Sequence, residues 1–180
     1  MKAGFQQNFD VYLSVTQPAN VTMSPAIGGL TGGTANGSTN FIVTTDDPAG
    51  YSVTIAASTS PALVTATDSF ADYVPVGANP DFTFTNAASA SSFAFSVKGA
   101  DTAARFLDDG ASNCGTGSSQ TAGACWDGLS TVAKTFLNRT SSNQPSGTVT
   151  TLNFRAASGS SHVQSSGTYV ATTTITVTPL

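Results

Sequence analysis

Glutamate is absent from this 180-residue chain, and all ten of its acidic residues are aspartate. Lysine and arginine together number six, and charged residues make up only 9% of the sequence. An ordinary soluble domain carries about 25%. Losing Glu and most Lys removes strong helix formers, while Thr, Val, Phe and Gly are abundant, a balance that favours strands joined by turns. The net charge of −4 leaves no basic run to neutralise phosphates, which excludes a nucleic-acid partner. No window of about 20 apolar residues exists, so no membrane span is expected. With one histidine and no glutamate, a zinc-hydrolase HExxH pattern cannot be built. GGLTGG (28–33) lacks the GK[ST] ending of a phosphate loop, and no cofactor is expected. The opening MKAGFQQNFD has no apolar core of the signal-peptide kind, so the sequence reads as the mature form of an exported protein.

What is present alternates with period two. FDVYLSV sets Phe9, Val11, Leu13 and Val15 on one face, and TNFIVTT sets Phe41 with Val43. YSVTIAA aligns Tyr51, Val53, Ile55 and Ala57; across DDPAG these last two runs read as a hairpin. SSFAFSVK, TVTTLNFRA and YVATTTITV complete six clear strands, with weaker candidates at 20–24, 62–67 and 81–85. One all-β domain spanning 1–180 is expected, a β-sandwich of immunoglobulin-like or jelly-roll-like form. The longest break in the pattern is an excursion over 99–144, in which TAARFLDDG and WDGLSTVAKTFL suggest short elements. The two cysteines lie inside it in CGTGSSQTAGAC. A Cys114–Cys125 disulfide would staple that loop by roughly 2–3 kcal/mol, whereas two thiols without nearby His form a poor metal site. A disulfide in turn points to an extracellular or cell-surface location.

Candidate chemistry is sparse. His162, in SGSSHVQSSG, is the sole imidazole and has no acid near it in sequence, so it reads as an exposed loop residue. The pairs Asp46-Asp47 and Asp108-Asp109 flank turns, where Asp caps backbone N–H groups; calcium is the other ligand chemistry such loops offer. Trp126, beside Cys125, reads as roofing for the core, with ligand stacking on a sugar as the alternative. Sequons at Asn20, Asn36 and Asn138 are candidate glycosylation sites. The Thr row of the last strand, on Thr172, Thr174, Thr176 and Thr178, is a single row, short of the several-strand array that ice binding requires. Strand edges carry almost no Lys, the residue that usually blunts them. The N-terminal strand (1–17) therefore reads as an element that pairs with its own sheet or complements a neighbouring subunit, with Phe9, Val11, Leu13 and Val15 as its anchors.

FIVTTDDPAGYSVTI, GTVTTLNFRA and GTYVATTTITVTPL resemble the hairpin and closing strand of prokaryotic surface domains. The group includes the WxL-type wall domains and the sandwich subunits of extracellular fibres of the TasA/camelysin kind. Asp46-Asp47 stands where the hairpin often has Asn, and Trp126 is followed by Asp127 and Gly128, so the Trp-x-Leu pair is missing. The resemblance implies a non-enzymatic surface or fibre role and transfers no catalytic residue. Together these readings lead to an expectation: a secreted structural protein, the repeating subunit of a filament or pilus whose partner is itself. The alternative is an adhesin-like module for surface glycans or a host surface.

Overall fold

In the computed structural model, which describes residues 10–180, the stretch FIVTTDDPAGYSVTI is an arch between two sheets. This corrects the expected hairpin. Strand β2 (Gly33–Thr45) ends where Thr45 donates its N–H to Asn143 Oδ1 at 2.8 Å and accepts from Asn143 N–H at 3.0 Å. Those are the main-chain groups a hairpin partner would need. The turn after it is closed from within, because Asp47 carboxylate accepts from Ala49 N–H and Asp47 carbonyl accepts from Gly50 N–H. Gly50 holds φ +87°, and a Cβ there would meet the Arg139 carbonyl, so only glycine turns the chain at this point. Strand β3 (Tyr51–Ala57) then runs in the opposite sheet.

The remaining strands are β1 (Leu13–Val15), β4 (Leu63–Val64), β5 (Ser69–Asp72), β6 (Ser91–Gly99), β7 (Lys134–Arg139), β8 (Thr148–Ser158) and β9 (Thr173–Pro179). They form a six-stranded sheet ordered β1-β2-β8-β6-β5-β4 and a three-stranded sheet ordered β7-β3-β9. The expected all-β sandwich is therefore observed, with unequal layers. Most of β2 lies along β8 in an antiparallel ladder from Gly33↔Ser158 to Val43↔Thr148, so half of β2 is the polar, glycine-containing stretch GTANGST that precedes the apolar run. One parallel contact, β5 with β6, interrupts the otherwise antiparallel pairing.

Alternation places the core between the layers. Phe41 and Val43, Phe93, Phe95 and Val97, and Leu152 and Phe154 point inward from the larger sheet, meeting Tyr51, Val53 and Ile55 with Phe136 and Leu137. Phe41 and Phe136 close the gap edge to face at 6.2 Å between ring centres. Each such buried side chain contributes about 1.5–3 kcal/mol relative to exposure. Within this core Tyr51, fully buried, donates its hydroxyl to Asp101, which Arg139 pairs at 2.8 Å. Burial, reinforced by the Asp101 carboxylate, pushes the Tyr51 hydroxyl above its ordinary pKa.

The expected excursion over 99–144 is less loose than its composition suggested. It supplies β7, a strand of the smaller sheet, and its TAARFLDDG segment forms one 3-10 turn at Ala104–Phe106. Cys114 and Cys125 are bonded, their Cα atoms 5.7 Å apart, and both are buried in the main core cluster. The disulfide fits an oxidising compartment. Among the described residues no helix is long and apolar enough to cross a membrane.

Candidate functional site

The excursion continues along β6 where β5 stops. Phe95 and Asp127 exchange both backbone hydrogen bonds at 2.9 Å, and Asp81 with Trp126 do the same at 2.8 and 3.0 Å. Gly128 permits this approach, because a Cβ there would fall 1.8 Å from the Tyr73 carbonyl oxygen. Asp127 is 1% exposed and is held by Lys134 at 2.8 Å and Arg105 at 2.9 Å. Trp126 is thereby laid on the outer face of the larger sheet, over Ala94 and beside Tyr73 and Phe84. It does not roof the main core, which lies on the other side of that sheet. Its ring is 2% exposed, the Arg155 guanidinium sits 4.4 Å from the ring centre, and the indole N–H donates to the Gly123 carbonyl. A sugar could stack on Trp126 only after displacing Arg155. Beside it runs a shallow recess lined by Asn36, Gly37, Ser38, Asn153 and Arg155.

The other sequence candidates are scattered. His162 Nδ1 faces the Ser89 carbonyl at 3.3 Å, and no carboxylate is among its hydrogen-bond partners. Asp46 accepts from Tyr12 N–H at 2.7 Å. Asp108 accepts from Thr121 and Gly110 N–H groups, and those bonds hold its carboxyl below the usual range. Asp109 is held still lower by the Asn113 side-chain amide and by the N–H groups of Ala111, Asn113 and Ser112. Apart from Asp46, which reaches Tyr12, these turn carboxylates are spent on their own loops, the role expected of Asp in turns. Among the described residues no group of three or more metal-ligating side chains comes together. Asn20, Asn36 and Asn138 are all exposed, and Asn36 Oδ1 accepts from Arg155 Nε at 2.8 Å.

A polar clamp that sequence reading missed joins the end of β4–β5 to the segment before β9. Asp68 accepts from Tyr169 hydroxyl at 2.7 Å and from Gln164 Nε2 and Ser165 N–H, each at 2.8 Å. The Tyr169 and Ser165 bonds, the largest causes, hold its carboxyl well below the ordinary range. No signal in sequence spacing brings Asp68 to Gln164 across some hundred residues.

No protein-family model, curated protein or solved structure matches the chain. The strand edges differ in how they are covered. The β7 edge is covered by the segment around Thr102, and the β4 edge by Val170. Along β2, β1 pairs only with Val43–Thr45; farther down, Thr16 and Ser24 bond Ile42 and Asn36. Of the expected anchors, Leu13 is half-buried against the core, Val11 is 54% and Val15 40% exposed, and Phe9 lies outside the described residues. Among the described residues β9 has β3 on one side only.

Proposed function

We propose that this chain is a secreted, non-enzymatic structural protein of a prokaryotic cell surface, the repeating subunit of an extracellular filament joined by β-strand complementation. The carrying observation is the state of the N-terminal strand. Among the described residues it holds its own sheet through three residue pairs at an edge, flanked by bonds from Tyr12 to Asp46 and from Thr16 to Ile42, and Val11 and Val15 of its apolar face remain open. A strand so lightly held exchanges readily for the same strand of a neighbour, which makes the same main-chain bonds between chains. Repeated head to tail, the exchange does not close and yields a filament. The disulfide, the sparse charge and the resemblance to surface and fibre domains support the same reading.

Electron microscopy of the purified chain beside a deletion of residues 1–16 tests it. Filaments from the full chain and none from the deletion are expected; stable, well-folded monomers from both would remove the proposal. A second reading, binding of surface glycans, is favoured by the Arg155–Asn36–Asn153 recess next to Trp126. Its signature is a change in Trp126 fluorescence on adding oligosaccharides, lost in Arg155→Ala.

A further inference from the structure

Among the described residues, strand β9 presents a free edge whose one protection is Pro179 at its end. Its seven residues, TTITVTP, carry no charge, and its ladder to β3 runs from Ala57↔Thr173 to Tyr51↔Pro179 without a register shift. The direction of its free backbone groups follows from the two bonds that bracket this ladder. Ser58 N–H donates to the Thr172 carbonyl, and Leu180 N–H donates to the Gly50 carbonyl. Hydrogen-bonded pairs recur every second residue in an antiparallel ladder, so Thr174, Thr176 and Thr178 spend their main-chain groups on β3. Thr173, Ile175 and Val177 point theirs away from it. Pro179, which has no N–H to offer, falls in the outward set, where proline is tolerated. The same three outward residues turn their side chains toward the core, where Ile175 and Val177 are only half-buried.

We infer that β9 is a homotypic pairing edge: two copies of the chain join antiparallel about a two-fold axis at Ile175, fusing their three-stranded sheets into one of six. The register is self-complementary. Ile175 exchanges both main-chain bonds with Ile175 of the second copy, and Thr173 does so with Val177, leaving no outward N–H of Thr173–Val177 unpaired. Thr174 then faces Thr176 across the outer surface, and β-branched and Thr–Thr cross-strand pairs are favourable. With no charge anywhere in β9, the two strands meet without repulsion. Pro179 ends the ladder at each side. The interface is isologous and stands independently of the head-to-tail exchange proposed above, since it uses the opposite sheet.

Cysteine trapping in the full chain reads the register. In Ile175→Cys the two introduced thiols lie in directly opposed positions, about 5.5 Å between Cα atoms, within disulfide reach. An interchain dimer on a non-reducing gel is expected from Ile175→Cys, formed much faster than from Thr178→Cys, whose partner in this register is Thr172. Equal rates for the two variants would overturn the inference. Thr173→Pro supplies a second reading, because it removes an outward donor while leaving every β3 bond in place. Sedimentation equilibrium should show self-association weakened by about tenfold, the loss of two main-chain bonds per dimer. Association unchanged by Thr173→Pro, a wild-type chain monomeric at millimolar concentration, or association lost only on deleting residues 1–16 would each refute it. The last outcome would mean that a neighbour's N-terminal strand occupies the edge instead.

Discussion

Reducing the Cys114–Cys125 bond should lower stability by about 2–3 kcal/mol. The bond closes a loop of about 12 residues, for which the chain-entropy relation gives about 2.8 kcal/mol at 25 °C. Two structural details bear on the net value. Cys125 holds φ +57°, a left-handed conformation that costs a side-chain-bearing residue about 1 kcal/mol and can relax once the bond is cut. Against that, both cysteines are buried, 6% and 2% exposed, and reduction removes no side-chain atom from the core, so the loss is nearly all loop closure. Urea unfolding followed by Trp126 emission, with and without reductant, is the assay. At a slope of about 2 kcal/mol per molar, the midpoint should fall by about 1–1.5 M, and the melting temperature by about 5–10 °C. A midpoint shift below about 0.3 M would refute the reasoning. It would mean that the paired backbone of Asp108 and Ser119 already restrains the loop in the unfolded chain.

Gly128→Ala should destabilise by about 1–3 kcal/mol and shift Trp126 emission, because its Cβ meets main-chain rather than yielding side-chain atoms; chemical unfolding measures the first and fluorescence the second. The Asp68 clamp predicts a pH dependence. Its folded pKa is depressed, so its stabilisation is present in full above the ordinary carboxylate range and is lost as pH falls through the folded value. Asp68→Asn should therefore be less stable than wild type at pH 7, with the two converging below pH 3. A constant difference across pH 2–7 in unfolding titrations would show that the charge of Asp68 is not what the clamp uses.

Much of the fold is legible in the sequence because period-two alternation reports which face meets the core, and it does so for β2, β3, β6, β8 and β9. It does not report which sheet a strand joins. Phe41, Val43, Tyr51 and Val53 satisfy a hairpin and an arch equally well, and the choice is made by Asn143, distant in sequence, which occupies the end of β2. Strand β5 and the glycine-rich half of β2 escape notice because main-chain pairing with β6 and β8 overrides weak local preference. Lys134–Arg139 reads as part of a loose excursion because its alternation is broken at the bulge opposite Val53 and Thr54. At the candidate surfaces, the turn roles of the aspartates were readable. The outer position of Trp126 depends on Gly128 and Asp127 pairing with distant segments and was not.

The arch after Thr45 also governs the order in which the molecule can assemble. A hairpin there would let β2 and β3 zip together as soon as both were made. As built, β2 waits for β8, with Gly33 opposite Ser158, and β3 waits for β7 and β9. Almost the whole chain must be delivered before either sheet closes, and closing such wide loops is slow. During that interval β2, apolar along Phe41 and Val43, is an open edge exposed to its neighbours. A chain of this topology gains from being kept unpaired until its last strands, β8 and β9, have been made.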